Sequence, residues 1–383
     1  MAAEAAERTR GETCQRDGHE SASASHRAGQ AWLWGTVALT VGAVAVVVLL
    51  APPGSARPGR ALSWLLFTGS PVHVAATGWL FTLPDVRGHA RRHRARYLWV
   101  PLGVAGLAAV LATLIPPAAF GRLLLPYFAW QFFHFQKQNL GMAALAASAR
   151  GAPPLSPAER RALQASGWAG IIGLMARPGL LGTGLGTGAG ALPGGRLTAA
   201  GFLVAAVMFG CAVLLGLTAL ARRSAAGRPA GFSVMYLAAL LFSAPVFAFA
   251  SPYAAVGGMT AAHGFQYLLL VALVAAGRAG GMPSRLAGLA LLANIALIGG
   301  AALSTASHLH SASQAGRAVF GAYLGVVMAH FVVDAGLWRM RDRFPRQFLA
   351  SHVPYLVRAA ASPAHPVIIS STDRSVPDIG WPA

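Results

Sequence analysis

Long apolar segments separated by short basic loops run through most of this chain, and they constrain its fold more than any other feature. Between Trp32 and Trp338, several of them exceed the roughly 20 residues that a helix needs to cross a bilayer core. Hydrophobic residues make up 55% of the 383 residues and charged residues only 11%, whereas a soluble domain carries roughly 25% charged residues. The pattern therefore predicts an all-α, polytopic integral membrane helix bundle.

Proline and glycine residues mark the gaps between the apolar segments, as they do in turns. Pro52-Pro53, Pro116-Pro117 and the glycine-rich run 182–195 are examples. These boundaries predict about ten transmembrane helices, over residues 31–51, 62–83, 97–117, 120–148, 165–185, 198–221, 232–251, 255–277, 286–306 and 316–338.

The ten segments divide the chain into three regions. Residues 1–30 form a polar leader that is predicted to be disordered, 31–338 form the transmembrane domain, and 339–383 form a tail. The leader lacks the compact positive region, short apolar core and cleavage site of a signal peptide, so we expect the first helix to be retained.

The formal net charge of +19 comes almost entirely from arginine, because Lys137 is the only lysine. The arginine residues fall in short loops, where topology signals are expected rather than contacts with nucleic acid. With the N-terminus inside, every predicted inner loop matches or exceeds its outer neighbours; loop 84–96 has five arginine residues and loop 307–315 has none. Both termini and the tail are therefore predicted to be cytoplasmic, in a multi-pass protein of the plasma membrane whose surroundings are the lipid bilayer.

Four histidine residues lie within predicted spans, where a polar side chain is costly enough to need a reason. Each has a polar partner about one turn later on the same helical face. The pairs are His73/Thr77, His134/Gln138, His263/Gln266 and His330/Asp334. The predicted topology places all four histidines at a similar depth near the midplane, so we expect them to line one cavity.

Neutral imidazole binds zinc, copper, iron and nickel, and a partner that accepts the other ring N–H orients the ring. His73, His134, His263 and His330 are therefore predicted to bind a transition metal, with iron favoured over copper or zinc. Two axial histidines of a haem are the less favoured alternative.

Four further polar residues are predicted to assist in catalysis. Asp334, Gln138 and Gln266 would orient the ligands or contact substrate. Lys137, three residues after His134, would stabilise charge or donate a proton. Because no glutamate accompanies the histidines, a carboxylate-bridged di-iron site is not expected.

A structural role is the main alternative for any one of these residues, because polar side chains in membrane helices often serve as interhelical hydrogen bonds. Four histidines at one depth favour a site. His89 and His93 also have the spacing of a helical metal pair, but five arginine residues surround them in loop 84–96, which favours contact with anionic lipid headgroups. Cys14 and Cys211 are too few and too far apart for a disulfide framework or a cysteine metal site.

Three motifs have the character of family signatures: Trp130-Gln131-x-x-His134, His263-Gly264-x-Gln266-Tyr267 and His330-x-x-x-Asp334. In general type the chain resembles the bacterial membrane carotenoid-cleaving oxygenases, which hold iron with membrane histidines. It is also similar in type to integral membrane proteins of actinobacterial natural-product pathways, some of which form nitrogen–nitrogen bonds. The nearly lysine-free composition, rich in alanine, glycine and arginine, suits a high-GC actinobacterium. Neither resemblance matches residue by residue, so neither assigns site residues.

These observations predict a metal-dependent membrane enzyme with oxidative or rearrangement chemistry on a small or lipophilic substrate. Natural-product biosynthesis, by nitrogen–nitrogen bond formation or oxidative cleavage, would be an example, and a soluble redox protein is a candidate partner. The alternatives are a haem-binding electron-transfer subunit and a proton-coupled transporter, in which the same residues would form a proton or substrate path. The histidine-bearing helices share one predicted orientation, which gives no sign of the inverted repeat found in many transporters.

Overall fold

A computed structural model describes residues 2–53, 57–181, 195–277, 281–311 and 313–357. Every regular element in these ranges is helical. The first seven α-helices are α1 (Ala2–Leu50), α2 (Arg60–Phe67), α3 (His73–Leu80), α4 (Pro84–Arg92), α5 (Val100–Leu114), α6 (Pro117–Ala149) and α7 (Pro157–Ala176). The next seven are α8 (Gly195–Ala221), α9 (Ala230–Leu240), α10 (Ala244–Ala248), α11 (Gly258–Ala276), α12 (Gly281–Ser307), α13 (Gln314–Leu337) and α14 (Arg343–His352).

Six helical segments of the described chain are long and apolar enough to cross a membrane. They are Ser25–Leu50, Ala95–Leu114, Gly195–Ala221, Tyr253–Ala276, Gly281–Ser307 and Gln314–Leu337. Their outward faces carry large apolar side chains; Leu49, Leu114 and Ile298 are 82%, 72% and 70% exposed. Water disfavours so much apolar surface, whereas lipid covers it without cost. These features support the predicted membrane-spanning helix bundle.

Within the described residues, the other four predicted spans are also mainly helical, but they are broken or more polar. Segment 62–83 contains α2 and α3 on either side of a π-helical turn at Thr68–Val72, and the seventh predicted span is divided between α9 and α10. Helix α7 begins with several charged residues. Helix α6 has 33 residues, but its centre carries the polar run 136–139. The number of spans is therefore not fixed by length and hydropathy alone.

The leader and the first span belong to one helix in the structure. Helix α1 begins at Ala2 and continues without a break into the first span. The leader is rich in alanine, glutamate and arginine, which favour helix, and no proline interrupts the chain before Pro52.

The first part of the tail packs against the bundle. Phe348 and Leu349 of α14 are buried, and Val353 and Leu356 after it are fully buried. The tail beyond 357 lies outside the described residues.

Glycine residues allow close approach of the helices that carry the candidate site. A Cβ atom on Gly264 of α11 would lie only 2.0 Å from the carbonyl oxygen of Gly69 in the π-helical turn. Gly321 and Gly325 of α13 are four residues apart, and a Cβ on either would lie 2.4 Å from a backbone atom of α5. Such small residues let membrane helices pack backbone to backbone. The π-helical turn, α11 and α13 are thereby held in fixed positions around one point in the bundle.

Candidate metal centre

The four histidine residues predicted from the sequence lie on four different helices and meet at one point. His73 is the first residue of α3, and His134, His263 and His330 lie within α6, α11 and α13. The ring centroid of His73 lies 5.0 Å from that of His263 and 5.2 Å from that of His330. The ring of His134 lies 4.9 Å from His263 and 5.2 Å from His330. The imidazoles therefore form a closed set in which each ring contacts two others.

These rings are buried, yet most of their nitrogen atoms have no hydrogen-bond partner. His263 is fully buried, and the other three are 3–8% exposed. Both ring nitrogens of His73 and His263, and Nε2 of His134 and His330, are without a partner. Buried polar atoms are normally paired, because an unpaired one costs about 1–3 kcal/mol. Unpaired nitrogens on four imidazoles that contact one another indicate a site for something that binds imidazole nitrogen.

A π-helical turn positions His73. The turn Thr68–Val72 contains Pro71, whose missing N–H is tolerated where the helix is widened, and His73 follows it directly. The carbonyl groups of Gly69 and Ser70 lie near the His73 ring without forming a hydrogen bond of normal geometry. The close contact of Gly264 with the same turn then sets the spacing between His73 and its neighbour His263.

A chain of hydrogen bonds connects His330 to Asp334 through two other helices. Nδ1 of His330 lies 2.7 Å from Oγ1 of Thr77, which lies 2.8 Å from the hydroxyl of Tyr267. The Tyr267 hydroxyl donates to Oδ1 of Asp334 over 3.1 Å. When Asp334 is a carboxylate, the Tyr267 hydroxyl uses its hydrogen atom in the hydrogen bond to Asp334. The Tyr267 oxygen must then accept a hydrogen bond from Thr77, and the Thr77 oxygen accepts one from His330. His330 then carries its proton on Nδ1 and presents a lone pair at Nε2.

That lone pair faces the other carboxylate oxygen. Oδ2 of Asp334 lies 3.5 Å from Nε2 of His330 and 3.8 Å from Nε2 of His134, and it has no hydrogen-bond partner. Among the described residues, Asp334 has no ion pair with lysine or arginine. A buried carboxylate needs a compensating positive charge, and the space between Oδ2 and the two Nε2 atoms is where a cation would supply it.

The ligand atoms fall into two groups that share His330. One group contains His73, His263 and His330, the other His134, His330 and Asp334, and within each group the ligand atoms lie within 4.8 Å of one another. Because a metal–imidazole bond is about 2.1 Å long, two ligands of one ion lie at most about 4.2 Å apart. Small side-chain rotations would therefore bring either group onto a metal ion.

Gln138 and Gln266, predicted to orient their own histidines, bond elsewhere. The Gln138 amide donates to Oε1 of Gln266 over 3.0 Å and to the backbone carbonyl oxygen of His263 over 2.9 Å. Gln266 in turn donates to Oγ1 of Thr40 on α1 over 2.8 Å. These contacts connect α1, α6 and α11 beside the centre and leave the imidazole nitrogens unpaired.

Lys137 does not lie in the site, contrary to the prediction. Its side chain is exposed, and its ammonium group lies 4.9 Å from the ring centroid of Phe133. Three residues of helix correspond to about 300° of rotation, so Lys137 points about 60° away from His134. Burying its charge without a partner would be costly, and the long side chain reaches the surface instead.

Three contributors were not among the predicted site residues. Tyr267 joins Thr77 to Asp334, as described above, and its place one turn after His263 was the signal for it. Phe135 stacks on His263 with centroids 4.1 Å apart, and Phe331 stacks on His134 at 4.5 Å. Both aromatic residues directly follow a site histidine, but a phenylalanine in an apolar helix gives no signal of its own.

A cavity of about 280 Å³ reaches His73 from between α6 and α13. Its walls are mainly apolar and aromatic, and its polar lining atoms come from Ser70, Tyr127, Gln131, Ser307 and Tyr323. A mainly apolar cavity with a few polar groups is typical of a site for a small molecule.

No known family model, curated protein or solved structure matches the chain. Its function therefore has to be inferred from the residues of the site.

Proposed function

We propose that this protein is a metal-dependent integral membrane enzyme that performs oxidative or rearrangement chemistry on a small or lipophilic substrate. Its metal ion would be held by His73, His134, His263 and His330, with Asp334 supplying negative charge and an oxygen ligand. Nitrogen–nitrogen bond formation and oxidative cleavage in natural-product biosynthesis are reactions of this class.

One observation carries the proposal: a carboxylate oxygen and several imidazole nitrogens face each other in the core with nothing paired to them. Protons alone compensate this arrangement poorly, because charged imidazolium groups in contact would repel one another. One divalent cation satisfies the carboxylate and the ring lone pairs together. Metal binding is therefore the simplest explanation for four histidines that the fold holds in mutual contact.

The ligand types favour iron among the transition metals. His134, His330 and Asp334 offer two imidazoles and one carboxylate, which is the ligand set typical of non-haem iron oxygenases. Iron in such a site supplies redox chemistry when bound. Copper and zinc remain alternatives, since imidazole binds both. A haem fits less well, because it needs an open slot between two axial histidines and these four rings contact one another edge to face.

The cavity beside His73 supports an apolar substrate. At about 280 Å³, it exceeds the roughly 150 Å³ cavity that holds a benzene molecule in an engineered protein core. Its aromatic walls would hold a lipophilic group against the histidine cluster, and Gln131 would orient it through Oε1, which is buried without a partner. Substrate could then enter from the bilayer, and a soluble protein could supply electrons.

A plasma-membrane topology with ten spans and both termini in the cytoplasm completes the proposal. The arginine-rich loop 84–96 and the tail support this orientation. Reporter fusions in loop 84–96 and at the C-terminus should both report cytoplasm, and an external C-terminus would contradict the ten-span topology.

A proton-coupled transporter is the second candidate, and the chain from His330 through Thr77 and Tyr267 to Asp334 favours it. Such a chain can pass a proton along its hydroxyl groups. In a transporter these residues must titrate, whereas a metal ligand must offer a lone pair. The two functions therefore differ in whether purified protein contains metal.

Nitric oxide is a probe for the proposed iron site that requires no knowledge of the substrate. Protein loaded anaerobically with ferrous iron should bind it at an open coordination position and give the electron paramagnetic resonance signal of a ferrous nitrosyl. His308→Ala, at an exposed histidine near the end of α12, should leave the signal unchanged, while His330→Ala should abolish it. A wild-type protein that is metal-free, gives no signal and drives uptake down a pH gradient would contradict the enzyme and support the transporter.

A further inference from the structure

A second cavity lies at the end of the bundle where α3 and α13 end, and it contains none of the four histidines of the metal centre. It has a volume of about 400 Å³. One wall comes from α4 and the π-helical turn Ala95–Trp99 that follows it, and the other from the start of α14. The charged and titratable residues among its lining are His89, Arg92, His93, Arg96, Tyr97, Asp342 and Arg343.

Ring contacts hold the two walls together. His89 stacks on Phe344 of α14 with centroids 4.0 Å apart and an angle of 4° between the rings. Nε2 of His89 lies 3.2 Å from the hydroxyl of Tyr97, which is buried, and the ring of His93 lies 4.3 Å from that of His89. The cavity is therefore an ordered part of the fold, although its walls are far apart in the sequence.

The arginine residues of this cavity have free hydrogen-bonding capacity. Within the described chain, Arg92, Arg96 and Arg343 form no hydrogen bond or ion pair, whereas Arg87 of the same loop donates to the carbonyl oxygen of Thr82 over 3.1 Å. The one carboxylate of the lining, Asp342, is 4.0 Å from Arg341 outside it. Three guanidinium groups against one carboxylate leave the cavity positively charged.

We propose that this cavity binds the phosphate group of an anionic ligand, with Arg92 and Arg96 as its main contacts and Arg343 on the opposite wall. The planar guanidinium group donates two parallel hydrogen bonds to phosphate oxygens, which makes arginine well suited to this role. Two sources can supply the phosphate: an anionic phospholipid of the surrounding bilayer or a soluble phosphate compound. Either would reach a cavity at the end of the bundle.

Binding in this cavity depends on pH through His89. The groups that face His89 are Arg92, His93, Arg96, Tyr97 and Asp342. Burial lowers the pKa of His89. The charges of His93, Arg92 and Arg96 lower it further, whereas the charge of Asp342 raises it. A bound phosphate adds negative charge and so raises this pKa. A phosphodiester, whose own charge does not change in this range, therefore binds more tightly as the pH falls and His89 becomes protonated.

The test uses two matched double variants of the full-length protein. Arg92→Gln/Arg96→Gln removes the two main contacts, and Arg91→Gln/Arg94→Gln removes the same charge from exposed arginines that do not line the cavity. One arm measures retention of phosphatidylglycerol against phosphatidylcholine by native mass spectrometry, and the other measures pyrophosphate binding in lipid-free detergent by calorimetry. Each lost charge-assisted bond is expected to weaken binding about tenfold.

The expected result is weaker phosphate binding in Arg92→Gln/Arg96→Gln and nearly unchanged binding in the control pair. Retention of phosphatidylglycerol alone would identify a lipid headgroup, and displacement of the lipid by pyrophosphate would identify a soluble phosphate compound. Equal losses in both variants, or no binding of either probe, would overturn the proposal, because attraction would then be diffuse or absent. Metal content is unaffected in every case, so this test is independent of the metal centre.

Discussion

Oγ1 of Thr77 lies 2.7 Å from Nδ1 of His330, across the interface between α3 and α13. Thr77 follows His73 by one turn on its own helix, yet it orients a histidine of another helix. With Asp334 as a carboxylate, the contact places the His330 proton on Nδ1, and Nε2 is then free beside Asp334. The hydrogen bonds that prepare the candidate site for a metal thus run mainly between helices.

Removing the Thr77 hydroxyl should weaken metal binding without destroying the fold. Thr77→Val keeps the shape of the side chain but leaves the His330 N–H unpaired, at a cost of about 1–3 kcal/mol. Loss of such an orienting partner typically lowers metal affinity about 10–100-fold. Competition with a chelator measures the affinity, and Thr77→Ser, which keeps the hydroxyl, is the control. Equal affinities for Thr77→Val and wild type would show that this bond does not prepare the site.

Replacing Asp334 with asparagine distinguishes the enzyme from the transporter. Asp334→Asn keeps an oxygen near His330 but removes the negative charge that attracts the cation. For the enzyme we expect metal affinity to fall by at least about 10–100-fold while the protein still inserts and stays monodisperse. For a proton-coupled transporter the variant would lose coupling, and there would be no metal to lose. Metal content and pH-gradient-driven uptake, measured on one preparation, separate the two outcomes.

A methyl group on Gly264 should disturb the site from outside it. Gly264→Ala places Cβ against the Gly69 carbonyl oxygen, 2.0 Å away, so α11 must move away from the π-helical turn. Overpacking of this kind costs about 1–3 kcal/mol, and it should increase the separation of His263 from His73 and lower metal content. Gly103→Ala is the matched control, because its Cβ meets nothing within 4 Å; it should be neutral or stabilise by up to about 1 kcal/mol. Thermal unfolding in detergent measures the stability of both variants.

An ion pair outside the predicted membrane spans should make stability depend on pH. Arg223 donates to both carboxylate oxygens of Glu159, over 2.5 and 2.6 Å. Burial raises the pKa of Glu159, but hydrogen bonds from Arg223 and Ser156 outweigh it and hold that pKa below its ordinary value of 4.5. Because the folded-state pKa is lowered, the pair stabilises the fold above about pH 4.5 and loses this effect as the pH falls further.

Glu159→Gln should therefore destabilise the protein by on the order of 3 kcal/mol at neutral pH, since it removes the carboxylate that balances the charge of Arg223. Arg223 keeps its hydrogen bonds to the carbonyl oxygens of Pro153, Pro154 and Gly227. The difference in the free energy of unfolding between this variant and wild type should shrink as the pH falls below 4.5. Arg222→Gln, at the exposed neighbouring position, is the control and should have little effect. A difference that is constant from pH 7 to about pH 4 would contradict this account.

Helix positions and the histidine cluster could be predicted from the sequence because both depend on strong local signals. Long apolar runs indicate helices, and a histidine within such a run is rare enough to mark a site. The structure brings His73, His134, His263 and His330 together as predicted. Lys137 was misplaced because a difference of 60° on a helix decides between core and surface.

The hydrogen-bond partners could not be predicted, because they depend on how helices pack. Each histidine has a polar residue one turn later, but only one of these pairs has a direct polar contact between its own side chains: Oδ2 of Asp334 lies 3.5 Å from Nε2 of His330. Thr77 and Gln138 reach across to other helices instead. The rotation of each helix about its axis is set by contacts such as Gly264 against Gly69, and no periodicity within one segment encodes it.

The most direct test of the metal centre is the metal content of the purified full-length protein, measured by mass spectrometry together with its optical spectrum. Cells should be grown with iron, copper and zinc all in supply. The metal-centre account predicts one tightly bound transition-metal ion per chain, predominantly iron, which is lost in His263→Ala and retained in His308→Ala, with both variants monodisperse and helical. A wild-type protein that is metal-free, and stays so after anaerobic incubation with ferrous iron, would contradict it, as would a His263→Ala variant with its full metal content.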